Sequence, residues 1–177
     1  MPNNKLAKLF KNIKLLVVDV DGVLTKGEII YDDKGRELKI FNVKDGLGIF
    51  LLGKAGIKTI LLTAKESKVV RRRAKDMGVT EVICGVLPKE KALRGIMNKY
   101  GAKYNEICFI GDDLIDVAAM KLVNMPVTVK DASTPVKKVA RYITGKNGGE
   151  AAVREVVDLI ITAQGLEDKI YAFLKNP

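Results

Sequence analysis

The segment LLVVDVDGVLT, residues 15–25, constrains the fold more than any other part of the chain. Its apolar first half predicts a strand buried on both faces, as in a parallel sheet. Asp19 and Asp21 follow, and residues two apart on an extended chain point to the same side. Gly22 then allows the backbone to turn out of the sheet. Two carboxylates are therefore expected side by side at the end of a central strand.

Two like charges at the end of a buried strand are costly unless a cation pairs with them. Mg²⁺ is the natural partner, since it prefers carboxylate oxygens and keeps several of its waters. An isolated Asp-x-Asp pair more often only caps a strand and opens a turn. The polar residues at later strand ends favour the metal-binding interpretation.

Composition indicates one ordinary globular domain over residues 1–177, with 47% hydrophobic and 29% charged residues. No apolar run reaches the length of a membrane span, so no membrane partner is expected. The first twelve residues contain lysines but no apolar core of a signal peptide. Cys84 and Cys108 lie in apolar runs and are predicted to be buried thiols, which indicates a cytoplasmic protein.

The sequence has no histidine, which excludes histidine-based catalysis and argues against a zinc site. The net charge of +10 is spread along the chain, and only residues 71–73 form a basic run. The charge therefore fits an anionic small-molecule substrate better than nucleic acid.

Strand and helix patterns alternate along the chain and predict an α/β fold with a doubly wound parallel sheet. After the first strand, we expect strands at 58–63, 81–84, 106–110, 126–129 and 141–143. The expected helices are 46–54, 66–77, 88–100, one ending at 123, 135–140 and 150–163. Asp45 is the predicted cap of the first of these helices. A short amphipathic tail follows at about 165–177, and no segment is long enough to form a cap domain.

A β-hairpin insertion is predicted at about 26–44, with strands at 28–31 and 37–41 and a turn at Asp32-Asp33-Lys34-Gly35. A lone hairpin is marginally stable in water. The apolar residues of this hairpin, including Ile30 and Ile40, must pack against something. Helices flanking the sheet leave little room on the same domain, so another subunit is the expected partner.

The carboxyl ends of parallel strands form one edge, where such folds bind ligands. In chain order those ends carry Asp19 and Asp21, then Thr63, the loop leading to Lys89, and then Asp112 with Asp113. Each later residue also has a local explanation: Thr63 could begin a helix, Lys89 could lie on the surface, and the Asp pair could cap a helix. Four polar strand ends in succession favour a shared site.

These motifs resemble those of the haloacid dehalogenase superfamily of phosphatases, whose first motif is DxDGxLT. The resemblance implies that Asp19 is the nucleophile, forming an aspartyl-phosphate, and that Asp21 is the general acid and base. By the same resemblance, Thr63 donates a hydrogen bond to a phosphate oxygen. Lys89 neutralises charge on the phosphate and on Asp19.

The resemblance also implies a Mg²⁺ site. Asp112 would coordinate the ion together with Asp19 and the backbone carbonyl of Asp21. Asp113 and Asp116 would support those ligands from behind.

A narrower resemblance covers nearly the whole chain. The hairpin, FNVKDGLG (41–48), GDDLID (111–116) and NGGE (147–150) are similar to 3-deoxy-D-manno-octulosonate 8-phosphate phosphatases. That family is capless and forms homotetramers whose hairpins build a central barrel. Its sites lie between subunits, and the C-terminal tail can cover a neighbour's site. Asn42, Val43 and Asp45 would then face the substrate.

The chain departs from that family at two places. Ala64-Lys65 replaces the usual Gly-Arg in the substrate-binding segment, and Ala151 replaces a glycine. Lys65 keeps the positive charge but lacks the bidentate fork of arginine. A nonulosonate 9-phosphate, or another small phosphorylated metabolite, therefore remains an alternative substrate. A silent binding protein is a further alternative, disfavoured because the proposed catalytic residues are all present.

Overall fold

A six-stranded parallel sheet forms the centre of the protein in a computed structural model that describes residues 4–175. Its strands are β1 (Leu15–Val18), β4 (Lys58–Leu62), β5 (Glu81–Ile83), β6 (Ile107–Gly111), β7 (Met125–Thr128) and β8 (Tyr142–Ile143). Two short strands, β2 (Ile30–Tyr31) and β3 (Glu37–Leu38), pair separately and antiparallel. The predicted fold class and hairpin insertion are confirmed.

The strand order is β5-β4-β1-β6-β7-β8, so the chain moves outward in one direction from β1 and then in the other. The order reverses between β1 and β6, where the two following connections leave on opposite sides. This reversal opens a crevice beyond the carboxyl ends of the two strands, the usual ligand site in such sheets.

The sheet is buried on both faces because successive side chains alternate between them. In β1, Leu16 and Val18 join one apolar cluster, whereas Leu15 and Val17 join the other. All four are fully buried, which explains why this strand reads as an unbroken apolar run rather than an alternating one.

Eight α-helices cover the sheet within the described residues. They are α1 (Asn4–Phe10), α2 (Val43–Ala55), α3 (Lys68–Asp76), α4 (Lys89–Tyr100), α5 (Val117–Met120), α6 (Thr134–Val139), α7 (Ala152–Gln164) and α8 (Glu167–Lys175). Buried residues of α2, α3 and α7 pack in one cluster, and those of α4, α5 and α6 pack in the other. Over the described range, no additional domain covers the crevice.

One helix was missed and two local expectations were wrong. Helix α1 was not predicted, although its Phe10 is buried and its Leu9 packs against the same core. Helix α2 begins three residues early, at Val43, since the side chain of Asn42 accepts from the Lys44 N–H and caps the helix. Asp45 instead caps another helix: its Oδ1 accepts the Arg154 N–H of α7 at 2.7 Å.

The hairpin is shorter than predicted, with two paired residues in each strand. Leu38 and Ile40 lie on one face of the hairpin, and Glu37 and Lys39 lie on the other with Tyr31, which pairs with Glu37. Ile29, Tyr31, Leu38 and Ile40 are exposed, whereas Glu37 and Lys39 are half-buried. Ile30, expected at the subunit contact, pairs with Leu38 and so lies on the same face as Leu38 and Ile40, where it is half-buried.

The C-terminal tail packs on its own subunit. Ile170 of α8 is buried, the Phe173 ring lies 5.9 Å from that of Phe50 in α2, and Lys169 Nζ donates to the Ala55 carbonyl at 2.7 Å. This position is at the end of the sheet opposite the crevice. Residues 176–177 of the predicted tail and residues 1–3 lie outside the described range.

Cys108 is buried in the sheet and Cys84 is half-buried, and both are free thiols. Between residues 4 and 175, no helix combines the length and the hydropathy needed to cross a membrane.

Ala151 is the one non-glycine residue of the described chain in the left-handed region, with φ 71° at the N-cap of α7. An L-residue there costs about 1–2 kcal/mol, which a glycine avoids. The departure from glycine noted above therefore leaves local backbone strain.

Ala151→Gly should stabilise the protein by about 0.5–1 kcal/mol, the relief of strain being partly offset by the greater freedom of glycine in the unfolded chain. Denaturant unfolding measures the difference. The matched control is Ala163→Gly within α7, where glycine should destabilise by about 0.5–1 kcal/mol. A loss of stability in Ala151→Gly would contradict the strain.

Candidate active site

An open cleft of about 340 Å³ lies at the carboxyl ends of β1, β4 and β6. It is lined by residues from four segments of the chain: Asp19, Asp21, Gly22, Lys26, Gly27, Thr63, Ala64, Lys65, Asp112, Asp113, Ile115, Val129 and Asp131. The structure thus brings together most of the residues predicted from the strand ends. Lys89 and Asp116 lie behind the cleft, fully buried.

The ammonium of Lys89 is held between two buried carboxylates. Its Nζ lies 2.8 Å from Asp19 Oδ1 and 2.6 Å from Asp116 Oδ1. Burial alone would lower the pKa of Lys89, but the two negative charges outweigh it and raise the pKa. Lys89 therefore acts on the cleft through Asp19 rather than by lining it.

Two carboxyl groups of the cleft have raised pKa values, because nearby positive charge does not compensate for their burial. Burial raises the pKa of Asp19 to about 7, although Lys89 opposes the shift. Burial raises the pKa of Asp112 to about 8, and the charges of Asp19, Asp116 and Asp113 add to this. A site in which two carboxyl groups resist ionisation is one that a cation would stabilise.

The acidic residues fit a hard divalent cation. Asp19, Asp112 and Asp116 each offer a carboxylate oxygen, and these oxygens lie within 4.8 Å of one another. Asp116 is already engaged, since its Oδ2 accepts the N–H groups of Asp112 and Asp113 at 3.1 and 3.4 Å. Asp19 and Asp112 are therefore the better ligands. Asp113 is exposed and caps the short helix that begins at Leu114.

The loop after Asp21 is shaped by short-range hydrogen bonds. Thr25 Oγ1 accepts the N–H groups of Gly22 and Gly27 at 3.4 and 3.2 Å. Gly22 has φ 86°, and a Cβ there would lie 2.0 Å from Asp112 Oδ2. A glycine is required at this position because the backbone passes directly beside that carboxylate.

Gly148, which is distant in sequence, packs against the loop that follows Asp21. A Cβ at Gly148 would lie 1.8 Å from the Gly22 carbonyl oxygen, so the two backbones touch. The Gly149 N–H donates to the Val23 carbonyl at 2.9 Å, and Asp131 Oδ1 accepts the Gly148 N–H at 2.9 Å. The segment before α7 thus supports the loop that carries Asp21.

The segment after β4, residues 63–65, lines another part of the cleft. Thr63 is buried at the cleft, and its hydroxyl accepts the Lys65 N–H at 3.4 Å. Ala64 and Lys65 follow at the cleft mouth. The ammonium of Lys65 is not free there: it lies 2.7 Å from Glu37 Oε1 of the hairpin.

The residues expected to face a substrate from the start of α2 do not line the cleft of their own subunit. Val43 is 76% exposed. Asn42 Nδ2 donates to the Gly149 carbonyl at 3.4 Å. Asp45 is 1% exposed, and burial raises its pKa to about 6 although backbone N–H groups of α7 oppose the shift. The expectation of direct substrate contact by Asp45 is wrong, because its carboxylate is buried against α7.

Sequence reasoning missed five charged residues around the cleft, one of which is Asp131, described above with Gly148. Lys39 of the hairpin contacts Asp21 Oδ1, and Glu37 binds both Lys39 and Lys65. Lys26, which lines the mouth, forms an ion pair with Glu150 at 2.8 Å. The polar-apolar alternation Glu37-Leu38-Lys39-Ile40 was the available signal, since it gives the strand one polar face.

This chain is similar over most of its length to proteins of a known family. A model of the haloacid dehalogenase-like hydrolases matches residues 48–156. The 3-deoxy-D-manno-octulosonate 8-phosphate phosphatase of Haemophilus influenzae is 38% identical over 169 residues, covering 94% of each chain. That of Escherichia coli K12 is 39% identical over 159 residues, covering 90% of this chain and 85% of its own.

A solved structure extends the likeness to the whole fold. The 3-deoxy-D-manno-octulosonate 8-phosphate phosphatase of Moraxella catarrhalis, in complex with a magnesium ion, a phosphate ion and a KDO molecule, matches with a TM-score of 0.92. It is 40% identical, and the match covers 97% of this chain and 98% of that one.

The crowding of carboxylates gives a pH-dependent prediction for the metal-free protein. The pKa of the Asp112 carboxyl group is about 8 in the folded protein and 3.8 in the unfolded chain. The contribution of Asp112 to the free energy of unfolding is therefore complete below pH 3.8 and is lost as the pH rises through about 8. In chelator at pH 8.5, Asp112→Asn should therefore be more stable than the wild type, by about 1–3 kcal/mol. The difference should vanish near pH 4.

Thermal unfolding across pH measures this effect, with Asp33→Asn in the exposed hairpin turn as the control. Mg²⁺ should raise the Tm of the wild type more than that of Asp112→Asn, since binding to the native state alone is stabilising. An Asp112→Asn variant less stable than the wild type at pH 8.5 would contradict the proposed crowding.

Proposed function

The chain belongs to the haloacid dehalogenase-like hydrolases, in the family of 3-deoxy-D-manno-octulosonate 8-phosphate phosphatases, and we propose that it hydrolyses that sugar-acid phosphate to the free sugar acid and inorganic phosphate. The observation that carries the proposal is the cleft floor, where Asp19, Asp21 and Asp112 meet. The named relatives and the solved neighbour support the substrate.

In the first step, an oxygen of the Asp19 carboxylate attacks phosphorus and forms an aspartyl-phosphate. The P–O bond to the sugar breaks, and the leaving oxygen takes a proton from the Asp21 carboxyl. Lys89 supports this step because its ammonium fixes the orientation of Asp19 at 2.8 Å. Water then attacks the phosphoryl group, Asp21 takes a proton from the water, and phosphate and the Asp19 carboxylate are released.

Mg²⁺ fits the acidic floor, held by Asp19, Asp112 and the backbone carbonyl of Asp21, with Asp116 orienting the loop of Asp112. When bound, it offsets the negative charge of the attacking carboxylate and of the phosphoryl oxygens. Thr63 lies at the cleft wall, where its hydroxyl can donate to a phosphate oxygen. Lys65 and Lys26 at the mouth are the candidate cations for the sugar carboxylate, Lys65 sharing its charge with Glu37.

The exposed hairpin face supports a homotetramer. Leu38 and Ile40 are 50% and 70% exposed and lie on one face of the hairpin with the half-buried Ile30, which pairs with Leu38. Contiguous apolar residues of this kind mark interaction sites. Neighbouring subunits would also bring Asn42 and Val43 near an adjoining cleft. The free thiols support a cytoplasmic location.

Phosphate release from 3-deoxy-D-manno-octulosonate 8-phosphate tests the activity, beside a nonulosonate 9-phosphate and a simple hexose phosphate. We expect the first to give the highest kcat/KM and chelation to abolish turnover. Asp19→Asn should lower kcat by more than about 10⁴-fold, because an amide cannot attack phosphorus. Asp33→Asn should leave activity unchanged. Equal turnover in excess chelator, or an active Asp19→Asn variant, would contradict the mechanism.

Light scattering tests the assembly. The double variant Leu38→Asp, Ile40→Asp should give species smaller than a tetramer, because charges would be placed in an apolar contact. Leu174→Asp is the control, since Leu174 is as exposed as Leu38 but lies on α8. A wild type that is monomeric at micromolar concentration would refute the tetramer.

A further inference from the structure

Each of the two aspartates after β1 has its own lysine. Asp19 is held by Lys89 from the sheet side, and Asp21 is held by Lys39 from the hairpin. We propose that Lys39 is a positioning residue that fixes the Asp21 carboxyl group for proton transfer at the leaving oxygen. The inference rests on the proposed phosphatase activity and extends it to a residue outside the strand-end motifs.

The burial of Lys39 is the first argument. Its side chain is 5% exposed, although its neighbours Leu38 and Ile40 are 50% and 70% exposed. A buried ammonium is stable only where carboxylates compensate its charge. Lys39 Nζ contacts Asp21 Oδ1 and lies 3.3 Å from Glu37 Oε1. Lys39 therefore lies against Asp21 beside the cleft rather than in solvent on the hairpin surface.

Glu37 fixes Lys39 in turn. Its Oε2 accepts the Ser67 hydroxyl at 2.6 Å, and its Oε1 lies 2.7 Å from Lys65 Nζ. Burial opposes ionisation of Glu37, but the hydrogen bonds from Lys65 and Ser67 and the charge of Lys39 outweigh it and lower its pKa to about 2. Glu37 is thus a fixed anion, tied through Ser67 to the start of α3.

The contact with Lys39 orients the carboxyl group of Asp21. Lys39 engages Oδ1, which leaves Oδ2 for the cleft that Asp21 lines. Asp21 would otherwise be free to rotate, since it follows the strand and its side chain is 37% exposed. General acid catalysis requires the donor within hydrogen-bond reach of the leaving oxygen, so a rotated carboxyl would lose it.

Two substrates separate this role from a structural one. A sugar phosphate has a poor leaving group that needs a proton, whereas p-nitrophenyl phosphate releases a stabilised phenolate that needs none. The rate of aspartyl-phosphate formation is measured in single turnovers with Mg²⁺. Lys39→Met should lower this rate about 10²-fold for the sugar phosphate and less than about threefold for p-nitrophenyl phosphate.

Lys39→Arg should recover most of the rate because it restores a cation to Asp21. Glu37→Gln should give the same substrate-dependent pattern with a smaller loss, and it serves if Lys39→Met does not fold. Lys34→Met, at the exposed hairpin turn, is the matched control and should match the wild type on both substrates. KM and the Mg²⁺ concentration for half-maximal rate should stay within about twofold in Lys39→Met, Lys39→Arg and Lys34→Met. In Glu37→Gln only the rate at saturating substrate is compared, because this variant also releases Lys65 at the cleft mouth.

Equal losses on the two substrates, or none on either, would overturn the positioning role. A wild type that hydrolyses neither substrate would count against the proposed function itself. An active wild type with an unaffected Lys39→Met variant would overturn this inference alone.

Discussion

The buried ammonium of Lys89 between Asp19 and Asp116 is the interaction on which the rest of the cleft depends. Both carboxylates contact this one ammonium, and removing one member of such a buried group leaves an uncompensated charge. Asp116 then uses its second oxygen to bind the backbone of the loop that holds Asp112. Lys89 thus orients the proposed nucleophile Asp19 directly. Through Asp116 and the backbone, it also orients the proposed metal ligand Asp112.

Much of this architecture was predictable because it follows from local chemistry. Unbroken apolar runs marked the strands, and the polar residues after them had to meet at one sheet edge. The parallel sheet and the convergence of Asp19, Thr63 and Asp112 follow from these two facts, and the turn residues 32–35 indicated the hairpin. Lys89 was also predicted, although as a residue facing the phosphate rather than one buried behind Asp19.

What the sequence did not reveal were contacts between distant segments. Asp45 reads as the cap of its own helix, and only the packing of α2 against α7 assigns it to the latter. Lys39 reads as one more surface lysine, because its burial depends on how the hairpin folds over Asp21. Side chains of residues 37–40 alternate between an apolar face and a polar face of the hairpin. Subunit packing on the apolar face would therefore hold Glu37 and Lys39 of the polar face against the cleft.

The contact of Gly148 with Gly22 bears on the order in which the protein is made. During synthesis, the ribosome adds every proposed catalytic residue, from Asp19 to Asp116, well before it adds Gly148. Until then the turn that carries Asp21 has no neighbour on that side, and the Val23 carbonyl lacks its hydrogen bond from Gly149. Nascent or truncated chains ending before residue 148 would thus contain the full set of reactive groups without the geometry to use them.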